Sequence, residues 1–294
     1  MHGIAVDTKH DEFIVPNPLA SSVLVFRGSA TGNEPPLRVI QGPNTGLIRP
    51  HSVALDPVND EILVTDPRSG AVFVFARTAR GDVAPLRTIR GPKTNLFEIV
   101  GVAVDTERNV LVVANGRSSR GDGALYIFNR AADGNVAPLR SIKGPATGLL
   151  RPFGVQIYNG NVMVAVRRGD YIIPYRHGQP KPLDEIQALV ARSAMKPRQV
   201  SQDPNTISIP SPWDSLELGF VGVWNIEDGG DVPPKLIIRG AATRLIQPAA
   251  LAIAPTFKEI FVTDSPSNSV YTLLVPEVFE SVSPNFLNQE RRRE

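Results

Sequence analysis

Short runs of alternating apolar residues recur along the chain, separated by polar turns. The sharpest run is a small residue followed by apolar alternation and an aspartate, as in residues 2–7 (HGIAVD), 51–56 (HSVALD) and 100–105 (VGVAVD). Alternation with a period of two predicts strands, and an aspartate after a strand favours a turn by bonding its own backbone. Such runs begin at residues 2, 51, 100, 153, 198 and 249, so the spacings are 49, 49, 53, 45 and 51 residues. The pattern therefore predicts six copies of one unit.

Each unit continues with three more apolar segments. In the second unit these are EILVTD, AVFVF and the stretch around PLRTIRG, and similar segments follow the other copies. Four strands repeated radially are typical of a β-propeller blade. The sequence thus predicts an all-β fold, a six-bladed β-propeller with four-stranded blades in a single domain. The expected blades are residues 1–50, 51–99, 100–152, 153–197, 198–248 and 249–286, followed by a charged tail at 287–294.

Two units break the pattern. The fourth lacks the usual outer-strand motif and carries residues 182–194 (PLDEIQALVARSA) instead, whose apolar residues have helical spacing after a proline. That segment predicts either a decorated loop or a short surface helix. The sixth unit has three clear strands, so closure either uses residues 279–286 (FESVSPNF) or stays incomplete.

Composition narrows the function classes. No apolar run approaches the length of a membrane span, and the net charge is +2 with arginines spread through the repeats, which argues against nucleic-acid binding. The chain has no cysteine, which excludes disulfides, thiolate metal sites and cysteine nucleophiles. It also lacks a Walker loop, a dinucleotide fingerprint and a Ser-His-Asp constellation.

The repeated segments resemble those of NHL-repeat propellers, whose units have the form P-x-G-I-A-V-D followed by I-x-V-x-D and I-x-V-F. The similarity covers nearly the whole chain and is strongest in the first three units. It implies a protein-binding or ligand-binding scaffold, and it implies export from the cytoplasm. Related six-bladed folds include metal-dependent lactonases of the gluconolactonase and regucalcin type, strictosidine synthase-like proteins and peptidylglycine amidating lyases.

The first residue of each anchor is expected near one mouth of the central channel. These residues are His2, His51, Val100, Phe153, Arg198 and Ala249. Residues 49–53 (RPHSV) resemble the context in which amidating lyases bind a catalytic zinc through histidine, and residues 1–4 (MHGI) resemble it less fully. The resemblance makes His2 and His51 candidate metal ligands, although no third ligand occurs in the ring and a catalytic zinc usually has three. Capture of an anion, or simple hydrogen bonding of the two histidines, remain alternatives.

A lactonase-like site would instead place carboxylates and amides around a calcium ion at the ends of inner strands. Residues of this type end the second strand of four units: Asn17, Asp66, Asn115 and Asp264. Recurrence in four units favours a structural turn cap over a metal site.

The sequence is thus interpreted as a non-enzymatic binding or scaffold propeller that engages a protein partner or small ligand. The expected contacts lie at the channel mouth or on the irregular fourth and fifth blades, at His2, His51, Phe153, Arg198 and Trp213. No cofactor is predicted, and zinc or calcium in the channel is left open. The alternative function is a metal-dependent hydrolase or lyase that uses the same channel.

Overall fold

Antiparallel hairpins build the part of the chain that the computed structural model describes, residues 3–116, 123–167 and 218–280. Alternating apolar residues form nineteen strands there, because a strand with this pattern buries side chains on the faces of a sheet. The strands are β1 (Ala5–Asp7), β2 (Glu12–Asn17), β3 (Ser22–Arg27), β4 (Arg38–Gln41), β5 (Ser52–Asp56), β6 (Glu61–Asp66), β7 (Ala71–Ala76), β8 (Arg87–Arg90), β9 (Ile99–Asp105), β10 (Val110–Asn115), β11 (Ala124–Asn129), β12 (Arg140–Ile142), β13 (Arg151–Tyr158), β14 (Asn161–Arg167), β15 (Phe220–Asn225), β16 (Leu236–Ile238), β17 (Pro248–Ala254), β18 (Glu259–Asp264) and β19 (Ser269–Leu274).

These strands form five sheets, named blades I to V. Blades I to IV each contain four strands in chain order, β1–β4, β5–β8, β9–β12 and β13–β16, and blade V contains β17–β19. The first strands of successive blades contact one another, from β1 through β5, β9 and β13 to β17. The protein is therefore a β-propeller with four-stranded antiparallel blades, as predicted. The described residues hold five blades, so the prediction of six is not confirmed.

Blade IV differs from the sequence-based assignment. Strand β14 pairs directly with β15, with Met163 opposite Val223, whereas the repeat pattern placed these strands in the fourth and fifth units. Residues 168–217, including the expected helix or loop at 182–194, separate the two strands in sequence and lie outside the described residues. Residues 161–166 of β14 are all buried. A period-two pattern identifies strands of this kind, but it does not specify which neighbour they pair with.

The core lies between the blades, because each sheet packs apolar side chains on both faces. Between blades I and II, one face of blade I packs against the opposing face of blade II. The residues concerned are Ile14, Val23, Val25 and Ile40 of blade I and Ile62, Val64, Phe73 and Phe75 of blade II. The same arrangement joins blades II and III, and it explains why the units share their apolar positions.

A polar contact also ties each of the first three blades to the blade that follows it. A one-turn 3-10 helix follows the outer strand at Pro43–Thr45, Pro92–Thr94 and Pro145–Thr147. Its backbone N–H groups donate to Asp82, Asn135 and Asp231 of the next blade, for example from Asn44 N at 2.7 Å and from Ala146 N at 2.7 Å. A Cβ on the preceding glycine would overlap this side chain, at 2.4 Å for Gly42. We call this contact the backward cap.

Blade V ends differently, in the short helix α1 (Pro276–Phe279). Val278 and Phe279 are buried there, and Asn161 of blade IV donates its side-chain N–H to the Val278 carbonyl at 2.8 Å. The segment 279–286 predicted for closure thus begins at the end of a helix, and its remainder lies outside the described residues. No helix in the described ranges is long and apolar enough to cross a membrane.

Candidate functional site

Three side chains from the two blades that flank blade III meet beside the first strands of the sheets. His51 precedes β5 in blade II, while Phe153 lies in β13 and Arg167 ends β14 in blade IV. The rings of His51 and Phe153 have centroids 6.1 Å apart, and the guanidinium carbon of Arg167 lies 3.9 Å from the centroid of the Phe153 ring. All three side chains are half-buried. We call this group the inner-strand site.

His51 is held through its backbone and its ring. Its N–H donates to the Thr65 carbonyl at 2.8 Å, and its Nδ1 lies 2.8 Å from the Val100 carbonyl. Since a carbonyl only accepts, Nδ1 carries the proton and Nε2 is the unprotonated nitrogen of the neutral ring. Burial lowers the pKa of His51, the bond to Val100 opposes that shift, and the charges of Arg49 and Arg167 reinforce it. The imidazole is therefore neutral at neutral pH.

Arg167 places a positive charge in this partly dehydrated setting. Its Nη2 donates to Ser265 Oγ at 2.8 Å and its Nε to the Pro248 carbonyl at 3.4 Å. Burial lowers the pKa of Arg167, as does the charge of Arg151, while Asp264 acts in the opposite direction. Arginine nevertheless stays charged in proteins. The cation stacked on Phe153 is stabilised by the negative face of the ring.

Three of the four residues considered for a calcium site, Asp66, Asn115 and Asp264, accept hydrogen bonds from backbone N–H groups as turn caps do. Asp66 is fully buried and accepts the N–H groups of Ile48 and Arg49 at 2.7 Å each. Asp264 likewise accepts Ile246 N and Gln247 N at 2.7 Å each. Asn115 accepts Phe97 N at 3.2 Å. These bonds favour the structural interpretation, because oxygens occupied by backbone N–H groups are poorly placed to hold a cation.

The described residues around His51 do not fit a zinc site. The charged side chains acting on its ring are arginines, and the described ranges contain no group of three histidine, aspartate or glutamate side chains that could hold a metal ion. A zinc ion needs neutral or anionic ligands, commonly three from the protein in a catalytic site. An arginine beside His51 would instead repel a cation.

The structure brings together two of the predicted site residues, His51 and Phe153. His2, Arg198 and Trp213 lie outside the described residues. Arg167 was not identified as a site residue from the sequence, although the residue before it, Val166, departs from the repeat. Val166 pairs with Phe220 at the end of its strand, where the corresponding positions of blades II, III and V carry Asp66, Asn115 and Asp264. Loss of this polar cap marks the blade that supplies the arginine.

Comparisons with known proteins support the fold alone. The sequence matches no family model and no curated protein. Among solved structures, the chain is similar to one from the crystal structure of a nidogen/laminin complex, with 15% identity and a TM-score of 0.58, covering 94% of this chain and 76% of that one. It is also similar to a chain from the crystal structure of a mitotic checkpoint complex, with 9% identity and a TM-score of 0.52, covering 92% of this chain and 60% of that one. Both are structures of protein complexes, and at this identity the similarity indicates a propeller fold and no particular activity.

Proposed function

We propose that the protein is a non-enzymatic binding propeller that engages a partner or ligand through an anionic group at the inner-strand site. The observation that carries this proposal is the stack of Arg167 on Phe153 beside His51. We also propose that the repeats are of the NHL type and that the chain has a sixth unit, because the repeated segments resemble those of NHL propellers.

The chemistry of the site favours a carboxylate. A guanidinium offers five N–H donors in a planar fork, and its bonds to Ser265 and Pro248 use Nη2 and Nε. Charge-assisted bonds from arginine to carboxylate are about twice as strong as neutral ones. Phe153 supplies an apolar wall beside the donor, which suits a carboxylate attached to an apolar group.

His51 provides a built-in reporter of such binding. Its pKa is lowered by burial and by neighbouring positive charge, so an anion at the site should raise it. The His51 ring signals can be followed by NMR in a chain with four histidines while acetate, and then a peptide ending in a free carboxylate, is added.

We expect both probes to raise the His51 pKa and to bind in a saturable manner. Arg167→Leu should abolish both effects. Arg27→Leu is the matched control, because Arg27 is an exposed arginine paired with Glu34 outside the site. An unchanged His51 pKa at saturating acetate and peptide would refute anion binding here.

The alternative of a metal-dependent hydrolase or lyase has a separate test. Metal analysis of protein purified without chelator should find no stoichiometric zinc or calcium. A stoichiometric metal that is lost in His51→Ala would replace the binding proposal with the enzymatic one.

A further inference from the structure

A cleft opens in blade II between the turn that joins β6 to β7 and the segment that follows β8. Its volume is about 480 Å³, a size typical of sites for small ligands and single side chains. The residues that line it include Ser69, Gly70, Arg90, Pro92, Leu96 and Phe97. It therefore combines apolar walls with one charged side chain, that of Arg90. We call it the blade II cleft.

In blade I, two side-chain hydrogen bonds cross the same space. Gln41 ends the outer strand where blade II has Arg90, and its Nε2 donates to the Ala20 carbonyl at 2.8 Å. Ser21 takes the place of Gly70, and its Oγ donates to a carbonyl of the following segment at 2.7 Å. Ser21 and Gly70 share the left-handed conformation, with φ of 51° and 61°. Gly70 has no side chain to make such a bond, so blade II stays open there.

In blades III and IV, a proline covers the glycine that directly precedes the third strand. A Cβ on that glycine would overlap the Cδ of the proline. The pairs are Gly123 with Pro152 at 2.3 Å and Gly219 with Pro248 at 2.5 Å. A Cβ on Gly70 would meet nothing nearer than the Leu96 carbonyl oxygen at 3.2 Å, because the chain has Ile99 where the other two blades are followed by proline. Among these four blades, blade II is the one that leaves the space accessible.

The two arginines of β8 have different surroundings. Arg87 donates twice to a buried glutamate of its own blade, at 2.7 Å each. Arg90, at the other end of the strand, is exposed, and its side chain makes no hydrogen bond or ion pair within residues 3–116, 123–167 and 218–280. The exposed charges next to the lining residues in sequence are Arg68, Lys93 and Glu98. The cleft thus has a positive balance and a guanidinium whose donors point to no partner in the described ranges.

We propose that the blade II cleft binds an acidic side chain of a protein partner, in a segment that carries an apolar residue beside the acid. The planar fork of Arg90 matches a carboxylate, and Pro92 and Phe97 provide apolar surface for the neighbouring residue. A nucleic acid fits less well, because a phosphate backbone is bound by rows of basic residues and Glu98 stands beside this cleft. The proposal does not rest on the function proposed for the inner-strand site.

The probe is the blocked dipeptide N-acetyl-Phe-Glu-amide, which is charged only at its side-chain carboxylate. The amide signals of Gly70 and Gly91, both in the lining of the cleft, can be followed by NMR in full-length protein labelled at its glycine nitrogens. Both signals should shift in a saturable manner as the peptide is added. The neutral analogue N-acetyl-Phe-Gln-amide should bind at least about tenfold more weakly, because it cannot form the charge-assisted pair with Arg90.

Copying blade I into blade II should close the cleft. Arg90→Gln combined with Gly70→Ser supplies the two side chains that cross this space in blade I, and Ser21 shows that serine is accepted at this positive φ. The affinity for the acidic peptide, followed at Gly91, should fall at least about tenfold. Arg90→Gln alone changes an exposed residue and should give most of that loss.

Lys143→Gln is the matched control, since Lys143 is an exposed cation at the position of Arg90 in blade III. It should leave the affinity unchanged, as should Arg167→Leu at the inner-strand site. The proposal is overturned by the absence of saturable shifts at Gly70 and Gly91, by equal affinity of the two peptides, or by an equal loss in either control variant. A single-stranded oligonucleotide that shifts the same signals at lower concentration would also overturn it, and would assign the cleft to nucleic acid.

Discussion

The contacts from blade I to II and from blade II to III are bridged by arginine and glutamate, whereas the contact from blade III to IV is filled by valine and isoleucine at the same positions. In the first two, a glutamate at the start of the second strand meets an arginine that follows the third strand of the next blade: Glu12 with Arg77 at 3.3 Å and Glu61 with Arg130 at 3.1 Å. In the third, these positions are Val110 and Ile226, 6% and 0% exposed, both in one apolar cluster.

The outer-strand arginine is present in all three blades but changes its partner. Arg38 and Arg87 each make a two-bond pair with the glutamate of their own blade. Arg140 has no glutamate at the position of Val110, and its Nε and Nη2 donate to the Ile226 carbonyl at 3.3 and 3.2 Å. Its Nη2 also pairs with the exposed Glu227 of blade IV at 3.0 Å, so this blade contact keeps an ion pair, but at the surface. The Nε atoms of Arg38 and Arg87 are buried without a hydrogen-bond partner, whereas the Nε atom of Arg140 donates to the Ile226 carbonyl.

In the blade III–IV contact both members of the pair differ from the bridged contacts, with valine in place of the glutamate and isoleucine in place of the arginine. A buried ion pair and an apolar pair of similar volume can be nearly equal in stability, because desolvation of the charges offsets much of their attraction. Changing the glutamate alone removes the shared partner of two arginines, of which the one from the next blade keeps an aspartate: Arg130 keeps Asp56 at 3.5 Å and Arg77 keeps Asp60 at 3.1 Å. We therefore interpret Val110 and Ile226 as one coordinated replacement in the repeat.

The largest expected effect comes from removing one charge of the bridged contact. Glu61→Ala leaves Arg87 without its carboxylate partner and Arg130 with only the longer contact to Asp56 at 3.5 Å, and should lower the free energy of unfolding by about 3 kcal/mol. Val110→Ala at the matching apolar position removes two methyl groups and should cost about 2 kcal/mol. Urea denaturation of both variants measures the difference. A smaller loss for Glu61→Ala than for Val110→Ala would contradict the role given to the bridge.

An intermediate effect is expected from neutralising Glu12. Glu12→Gln should cost about 2 kcal/mol at neutral pH, the scale of hydrogen bonds to a charged group. Hydrogen bonds from Arg38 and the charges of Arg38 and Arg77 lower the pKa of Glu12 against the opposing effect of burial. Its stabilising contribution is thus complete above the ordinary glutamate pKa of about 4.3, and is lost as the pH falls through the lower folded-state value.

Stability curves at several pH values test that dependence. The gap in unfolding free energy between the native protein and Glu12→Gln should stay constant near neutral pH and narrow below about pH 4.3. A gap that does not depend on pH would mean that the carboxylate charge contributes nothing.

The smallest effect is expected when the apolar pair found between blades III and IV replaces the charged pair between blades II and III. Glu61→Val combined with Arg130→Ile should leave the unfolding free energy within about 1 kcal/mol of the native value. Arg87 can then turn to the carbonyl of residue 130, which its Nη2 already reaches at 3.5 Å. Each single substitution should cost more than the pair, so a double-mutant cycle gives the coupling energy. Additive losses would show that the two positions are independent.

Much of the fold could be predicted because the signals are local. The alternation in segments such as EILVTD and the turn-forming aspartates specify strands and hairpins within one unit, and blades I to III each contain four consecutive strands of this kind. The pairing of β14 with β15 could not be predicted, because residues 168–217 separate the two strands in sequence. The apolar pattern of a strand does not identify the strand with which it pairs.

The candidate site was predicted only incompletely. Equivalent positions in the repeat led to His51 and Phe153, whose strands lie on either side of β9. Arg167 approaches them through the end of a different strand, and its position over Phe153 depends on the Ser265 and Pro248 contacts from blade V. Contacts of this kind, between residues far apart in sequence, leave no local pattern.

The backward cap has a consequence for synthesis on the ribosome. Blade I needs Asp82, blade II needs Asn135 and blade III needs Asp231 before its 3-10 helix is fully bonded. A blade that has left the exit tunnel therefore waits for about forty further residues, and for blade III for more than eighty, before it reaches its final stability. We therefore expect each blade to reach its final stability only after the next blade has been synthesised. The delay should be longest for blade III, because residues 168–217 are synthesised before its partner Asp231.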